Sequence, residues 1–242
     1  MAQIDKNILP NHVAIVPDGN RRWARARGLA DWQGHWSGAE KTREQVQAAF
    51  DLGIYCLSWW GGSWSNLTER SKIEINSLFR IYNKYFCELI KKKEIYQHQV
   101  KVNVIGRWKE ILPAKAKEAA IKLEEATKGH NQRLLNFFIA YDGRDEMISA
   151  VKSLAREARR NKSLKITREV LKAHLWTAEL PPVDLLIRTG SSADPHNSAG
   201  FMMWLTANSQ LYFSKGYYPD FGKKEFLAAI KEYQNRERRL GK

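Results

Sequence analysis

Runs of apolar, β-branched or aromatic residues alternate along this chain with longer segments of helical periodicity. Such runs predict strands, because these residue types fit a pleated and buried surface. The predicted strands are His12–Val16, Tyr55–Trp60, Val100–Ile105, Leu134–Tyr141, Val183–Arg188 and Gln210–Phe213. Strands that alternate with helices favour an α/β fold, in which helices flank a mostly parallel central sheet of about six strands.

Two helices stand out in the pattern. The segment from Ile75 to Ile90 carries apolar residues at the i, i+3, i+4 spacing of an amphipathic helix. Its predicted apolar face consists of Ile75, Leu78, Phe79, Tyr82, Phe86, Leu89 and Ile90. A second helix is predicted between Pro113 and Gly129, two residue types that commonly border helices. No repeat or Pro-, Gly- or Ser-rich linker divides the sequence, so we expect one domain over residues 1–242.

Composition adds a strong positive charge to this picture. The chain has 40 Lys and Arg residues against 26 Asp and Glu, a net charge of +14. This balance favours an anionic partner, which is nucleic acid, an acidic membrane surface or a phosphorylated small molecule. The basic residues are spread over the helices without the interleaved aromatic platform typical of nucleic-acid binding. We therefore expect no nucleic-acid partner.

Cysteine usage and the chain start indicate a compartment. Cys56 and Cys87 have no metal-like spacing, and two cysteines do not make a disulfide framework, which favours a reducing environment. The first residues lack the basic and apolar regions of a signal peptide. No apolar run has the length of a membrane span. These features predict a cytoplasmic protein.

Polar residues follow three of the predicted strands. Asp18 follows the first strand, the loop GGSWSN follows the second, and RTGSSADPH follows the fifth. In open parallel sheets, ligands bind beyond the carboxyl ends of the strands. The three loops are therefore expected to converge on one site.

The turn after the first strand has residues suited to a metal–diphosphate complex. Asp18 is a hard ligand of the kind that Mg²⁺ prefers, and Gly19 allows close approach of the backbone. Arg21, Arg22 and Arg188 suit bidentate contacts to phosphate. Taken alone, an Asp-Gly pair after a strand more often forms an ordinary turn in which Asp caps the next helix.

The motif that begins at His12 is followed by several others along the chain. The set comprises HVAIVPDGNRRWARARG from His12, GH at Gly34, VDLLIRTG from Val183, FMMW from Phe201, LYFSKGYYPDF from Leu211 and NRERRLG from Asn235. In content, order and spacing this set resembles the cis-prenyltransferases, the undecaprenyl diphosphate synthase family. The resemblance implies that family's fold with a hydrophobic tunnel. The Ile75–Ile90 face would form one wall of this tunnel or belong to the ordinary core, and the sequence does not separate these alternatives.

The resemblance also implies roles for residues near the first strand. Asp18 is expected to be a Mg²⁺ ligand and the central catalytic carboxylate that helps ionise an allylic diphosphate. His35 is expected to hold or polarise that diphosphate. Trp23 would pack beneath the diphosphate, although an ordinary core aromatic has the same spacing. The implied substrate contacts in this motif are Gly19, Asn20, Arg21, Arg22 and Trp23.

Further roles fall on the later loops. Asn66 lies where the family has an Asn proposed to help remove a proton, and Ser63 in the same loop is expected to bind substrate. Arg188 would bind the diphosphate of the second substrate. His196 and Ser198 keep the spacing of the family's Arg-x-Ser pair, with histidine as a weaker cation in place of arginine.

The C-terminal motif implies an assembly. Arg239 belongs to an Arg-x-Gly ending that reaches toward the substrate of the neighbouring subunit in the family. The alternative for this residue is a solvated basic helix end. We therefore expect a homodimer, and a heteromeric partner remains open.

Four positions depart from the family pattern. Asp31 stands where the family has Arg, which reverses the charge expected near the allylic diphosphate. Ser65 and Leu67 replace Glu and Trp in the second loop. Gln210 replaces a metal-binding Glu, so any Mg²⁺ ligation by Gln210 would bring no charge.

Three functions fit these residues. The first is a Mg²⁺-dependent prenyl diphosphate synthase that condenses an allylic diphosphate with isopentenyl diphosphate by cis-elongation. The second is an irregular, lavandulyl-type condensation with dimethylallyl diphosphate as acceptor. The third is a non-catalytic subunit of a heteromeric enzyme, which the retained Asp18, Asn20, Arg22 and His35 disfavour. A lipid product and the basic charge also suggest peripheral contact with a membrane.

Overall fold

Six parallel strands form one central sheet in the computed structural model, which describes residues 4–236. The strands are β1 (His12–Val16), β2 (Cys56–Gly62), β3 (Val100–Ile105), β4 (Arg133–Ile139), β5 (Leu185–Arg188) and β6 (Gln210–Phe213). Their order across the sheet is β3-β4-β2-β1-β5-β6. The expected α/β fold with a mostly parallel sheet of about six strands is confirmed, with every strand pair parallel.

Ten helices connect and flank these strands within the described residues. They are α1 (Asn20–Arg25), α2 (Asp31–Leu52), α3 (Trp64–Thr68), α4 (Lys72–Lys91), α5 (Lys93–Gln97), α6 (Trp108–Ile111), α7 (Ala114–Thr127), α8 (Gly143–Arg160), α9 (Arg168–Ala173) and α10 (Lys223–Asn235). Short 3₁₀ helices occupy Lys6–Ile8 and Tyr218–Asp220. No helix within residues 4–236 is both long enough and apolar enough to cross a membrane.

The central strand β1 is buried on both faces, and its alternating side chains belong to two hydrophobic cores. Val13 and Ile15 pack in the larger core, which includes residues of α2, α4, α7 and α10. Ala14 and Val16 pack in the smaller core around Phe201. This double burial explains why the run reads as continuously apolar in sequence, as expected for a parallel sheet.

Helix α4 presents a face close to the predicted one. Ser71 caps its first turn by accepting a hydrogen bond from the backbone N–H of Glu74, at 3.3 Å. The buried aromatic and aliphatic residues on α4 are Leu78, Ile81, Tyr82, Tyr85, Phe86 and Leu89. Phe79 is only partly buried, so the face is rotated slightly toward Ile81 and Tyr85.

A row of polar side chains crosses the smaller core at the level of His12. The Nδ1–H of His12 donates to the carbonyl of Pro181 at 2.8 Å, and Nε2 accepts from the hydroxyl of Ser58 at 2.8 Å. The amide of Asn136 donates to the same hydroxyl oxygen at 3.1 Å, and Asn103 donates to Asn136 at 2.8 Å. Burial lowers the pKa of His12 from 6.5 to about 4, so its ring is neutral at pH 7.

This buried histidine predicts acid sensitivity of the fold. Between pH 6.5 and about 4 the unfolded chain binds a proton at His12 that the folded chain does not, so stability falls as the pH falls through this window. The depressed pKa corresponds to a loss of roughly 3 kcal/mol, at about 1.4 kcal/mol per pH unit. Urea unfolding between pH 7 and 4.5 tests this expectation. His12→Asn should flatten the pH dependence, and equal slopes in both proteins would contradict it.

Candidate active site

A cavity of about 330 Å³ opens among the carboxyl ends of the central strands. Val16 of β1, Trp60 of β2 and Arg188 of β5 contribute to its wall, together with residues of α1, α2 and α4. The structure therefore brings together loops from three strand ends, as the sequence pattern predicted. The predicted site residues that line the cavity are Asp18, Gly19, Asn20, Arg21, Arg22, His35, Asn66, Arg188 and Ser198.

The carboxylate of Asp18 lies between two arginines. Its Oδ2 accepts from Nη2 of Arg188 at 2.9 Å, and its Oδ1 accepts from Nη2 of Arg22 at 3.1 Å. The hydroxyl of Thr189 accepts from the Asp18 N–H at 2.9 Å and donates to the Asp18 carbonyl at 2.7 Å. Asp18 thus joins the loop after β1 to the loop after β5. Its carboxylate also fixes the directions of the Arg22 and Arg188 guanidinium groups.

Gly19 is required by two features of the turn. Its φ is +97°, a conformation that residues with a side chain rarely adopt. A Cβ at this position would also lie 2.5 Å from Cδ1 of Tyr217. The turn from β1 into α1 therefore depends on glycine for local reasons, whatever the ligand.

The Gly34-His35 pair combines packing with a side chain that faces the cavity. A Cβ on Gly34 would lie 2.0 Å from the carbonyl oxygen of Asn20, so glycine allows α2 to cross close to the start of α1. His35 is buried, and its Nε2 lies 2.8 Å from Oε1 of Glu74. Burial lowers the pKa of His35, although the hydrogen bond with Glu74 opposes this change. A neutral His35 therefore donates its Nε2–H to the carboxylate.

Two further arginines, Arg25 and Arg70, line the cavity without having been assigned a role from the sequence. Arg25 pairs with Asp31 through two hydrogen bonds of 2.7 Å, from Nε and Nη2. The expected charge reversal at Asp31 is thereby offset, because its carboxylate is engaged by Arg25. No partner for Asp31 was predicted from the sequence; the signal available was the opposite charge of Arg25, six residues earlier.

Arg70 is held from behind by Glu74. Nη1 of Arg70 donates to Oε1 of Glu74 at 2.9 Å, and Glu74 is only 4% exposed. Glu74 itself is absent from the described lining of the cavity. The sequence pattern does not single out Glu74, because an acidic residue in the first turn of a helix commonly serves only the helix.

Three predicted contacts lie away from the cavity lining. The indole of Trp23 donates to Oδ1 of Asp220 at 2.7 Å, and the Arg27 guanidinium stacks on its ring. Trp23 is only partly buried and belongs to neither hydrophobic core, so it is not the ordinary core aromatic of the alternative either. Ser63 caps α3, where its hydroxyl accepts from the Asn66 N–H at 3.1 Å. The ring of His196 is turned toward Asp194.

His196 nevertheless contacts the site through its backbone. Its carbonyl accepts from Nη1 of Arg188 at 2.8 Å, while Nη2 of the same arginine holds Asp18. The loop after β5 thus orients Arg188 without using an imidazole contact. Ser198, further along this loop, does line the cavity.

Gln210 is not brought to the site. Gln210 begins β6 in register with Leu185, which pairs with Val13, five residues before Asp18 in the chain. Its side-chain oxygen faces Nη1 of Arg236 at 3.5 Å. The strand register therefore places Gln210 toward the amino end of the sheet, opposite the cavity edge. Arg239 lies outside the described residues.

The donor set around Asp18 fits a metal ion only when phosphate is present. Within residues 4–236 no group of three or more His, Cys, Asp or Glu side chains is arranged to hold a metal. Hard divalent cations such as Mg²⁺ are often bound by one carboxylate together with substrate phosphates and water. Asp18, surrounded by arginines that attract phosphate, meets that requirement.

Part of the cavity lining is apolar. Leu78, Ile81 and Tyr82 of α4 line it together with Trp59 of β2. The hydroxyl of Tyr82 donates to the carbonyl of Gly61 at 2.7 Å. Beyond Tyr82 a much smaller apolar space continues toward Phe86 and Phe137. Of the predicted α4 face, Leu78 and Tyr82 therefore line the cavity and Phe86 lines the small apolar space, while its other members appear in neither lining.

The close contact between Gly34 of α2 and Asn20 of α1 can be tested by substitution. Gly34→Ala places a Cβ against the Asn20 carbonyl, so α1 must shift, and overpacking of this kind costs about 1–3 kcal/mol. We expect that loss in urea unfolding. Gly129→Ala is the control, because a Cβ there meets nothing within 4 Å. Equal stability of the two variants would contradict the packing role of Gly34.

Comparison with known proteins adds independent findings. The family model of undecaprenyl diphosphate synthase matches residues 16–241. A tritrans,polycis-undecaprenyl-diphosphate synthase (geranylgeranyl-diphosphate specific) from Pyrococcus abyssi is 39% identical, covering 100% of this chain and 90% of the relative. The protein of the same name from Methanocaldococcus jannaschii is 40% identical, covering 99% of this chain and 85% of the relative.

A solved structure is similar over nearly the whole chain. It is lavandulyl diphosphate synthase from Lavandula x intermedia in complex with dimethylallyl diphosphate, with a TM-score of 0.89 and 29% identity. The match covers 98% of this chain and 100% of that chain.

Proposed function

The chain belongs to the undecaprenyl diphosphate synthase family of cis-prenyltransferases, and on that premise we propose that it condenses an allylic prenyl diphosphate with isopentenyl diphosphate. The observation that carries this proposal is the composition of the cavity. The arginines Arg21, Arg22, Arg25, Arg70 and Arg188 line it, together with apolar side chains of α4 and Trp59. A prenyl diphosphate combines a charged diphosphate with an apolar chain, so it matches both kinds of lining residue.

In this reaction the allylic C–O bond breaks, and the electron pair leaves with the diphosphate. The double bond of isopentenyl diphosphate then attacks the allylic carbon, and loss of a proton completes the new double bond. Arginines fixed before the reaction stabilise the charge that develops on the leaving group, a contribution that needs no reorganisation. Arg22 and Arg70 are suited to this role, since both line the cavity and each is anchored by a carboxylate.

Mg²⁺ fits the donor set as the cofactor. Asp18 would hold the ion together with diphosphate oxygens, and the ion would neutralise charge on the departing diphosphate. Asn20, the first residue of α1, and the neutral His35 would orient the allylic diphosphate. No contact within residues 4–236 supports Gln210 as a second ligand, so it stays a prediction from the sequence.

Isopentenyl diphosphate would bind near Arg188 and Ser198. Two buried donors in this segment, Nε of Arg188 and the hydroxyl of Ser191, have no partner among the described residues. Buried polar groups without partners are uncommon, and an anionic ligand would satisfy them. Asn66 also lines the cavity and would lie near the carbon that loses the proton, with Ser63 fixing its helix.

An irregular condensation is the second candidate. The similar solved structure is named for such an enzyme and contains dimethylallyl diphosphate. In this chain Ser65 and Gln210 replace the acidic residues of the regular family pattern. Dimethylallyl diphosphate would then serve both as the allylic substrate and as the acceptor.

We propose a homodimer in the cytoplasm with peripheral contact to a membrane. The edge strand β6 exposes Leu211, and α8 exposes Ile148 and Val151, each roughly half accessible. Exposed sheet edges and apolar side chains commonly mark interfaces. The net charge of +14 favours an anionic membrane surface that would receive an amphiphilic product.

A labelled product assay with Mg²⁺ tests the function. Isopentenyl diphosphate is paired with dimethylallyl, geranyl, farnesyl or geranylgeranyl diphosphate, and dimethylallyl diphosphate is also incubated alone. We expect elongated products that require isopentenyl diphosphate and that Asp18→Ala abolishes. Product from dimethylallyl diphosphate alone would establish the irregular reaction. No product from any pairing would refute catalysis by this chain alone.

Tyr82 is expected to limit product length. Tyr82→Ala joins the cavity to the small apolar space beyond it, so chromatography should show products longer by one or more isoprene units. Tyr82→Phe is the matched control, because it removes the hydroxyl but keeps the ring that fills the space. An unchanged length distribution in Tyr82→Ala would rule out this limit.

A further inference from the structure

One buried carboxylate lies behind the charged wall of the cavity. Oε1 of Glu74 accepts from Nε2 of His35 at 2.8 Å and from Nη1 of Arg70 at 2.9 Å. Nε of Arg21 lies 4.0 Å from the same oxygen. All three partners line the cavity, whereas Glu74 does not appear in its described lining.

The three partners come from separate parts of the chain. Arg21 lies on α1, His35 on α2, and Arg70 just before α4. Arginine side chains are long and have many rotamers. Without a common anchor, a ligand would have to order both of them, which costs conformational entropy. The carboxylate fixes their directions relative to His35 before any ligand arrives.

The charge state of this cluster is consistent with an anchor. Burial alone raises the pKa of Glu74, but the hydrogen bond from His35 and the charges of Arg70 and Arg21 outweigh burial and lower its pKa overall. Glu74 is therefore ionised while His35 is neutral. An unpaired buried carboxylate is very costly, so its pairing with these groups is strongly coupled to the local fold.

We propose that Glu74 is a positioning residue, which holds Arg21, His35 and Arg70 as one donor wall for the diphosphate of the allylic substrate. The inference rests on the proposed function, because that function supplies the ligand. It adds a residue that does not touch the substrate and acts only through its three neighbours.

The direction in which diphosphate affinity changes when Glu74 is neutralised distinguishes a positioning role from a purely electrostatic one. A negative charge near three cavity-lining donors weakens the local attraction for an anion. If Glu74 acted only through its charge, neutralising it would tighten diphosphate binding. If Glu74 positions the donors, its removal frees them and weakens binding.

Calorimetric binding of inorganic diphosphate in the presence of Mg²⁺ measures this directly. We compare the wild-type chain with Glu74→Gln, which keeps the shape but removes the charge. Glu88→Gln is the matched control, because Glu88 lies on the same helix and pairs with Arg43 and Lys84 away from the cavity lining. We expect binding at least tenfold weaker in Glu74→Gln and unchanged in Glu88→Gln.

A second variant separates position from charge without removing the carboxylate. Glu74→Asp keeps the charge but shortens the reach by one methylene, and it serves also if Glu74→Gln does not fold. Positioning predicts weaker binding and a raised KM for the allylic substrate, with the KM for isopentenyl diphosphate nearly unchanged. Wild-type affinity in Glu74→Asp, or wild-type or tighter binding in Glu74→Gln, would overturn the inference. Failure of the wild-type chain itself to bind diphosphate would instead refute the proposed function.

Discussion

The pairing of Asp18 with Arg22 and Arg188 is the interaction on which the rest of the site depends. It joins the turn after β1 to the loop after β5, two neighbouring strands at the centre of the sheet. Thr189 adds two hydrogen bonds to the Asp18 backbone, and Gly19 allows the turn that directs α1 across the cavity. One carboxylate thus sets both the geometry of the strand ends and the direction of two cations.

The remaining charges are organised by the same principle. Two more arginines of the cavity are held by carboxylates: Arg25 pairs with Asp31, and Arg70 pairs with Glu74. Arginines that are already held by carboxylates have less conformational freedom to lose when a diphosphate binds. The apolar surface that α4 and Trp59 contribute to the same lining suits a prenyl chain. The combination of arginines and apolar side chains in one cavity supports a prenyl diphosphate as the ligand.

Sequence periodicity was sufficient for the fold and for the convergence of the strand-end loops, whereas His35, Asn66 and Ser198 were expected only from the family resemblance. It predicted the six strands and the loops that converge, because the side-chain period and the rule for strand ends are local. It did not predict the role of Glu74 or the Arg25–Asp31 pair, since these contacts depend on how helices cross. The crossing of α1 and α2 depends in turn on the missing Cβ of Gly34. Gln210 shows the same limit, because its distance from the cavity depends on strand register.

A crystal structure with Mg²⁺ and a thiolo analogue of dimethylallyl diphosphate would show whether the arginine-lined cavity binds a prenyl diphosphate, because the C–S bond of the analogue resists ionisation. We expect the diphosphate on Arg21, Arg22 and Arg70, the metal on Asp18, and the dimethylallyl tail toward Tyr82. An analogue bound elsewhere, with Asp18 still paired to both Arg22 and Arg188 and no diphosphate in the cavity, would contradict this expectation.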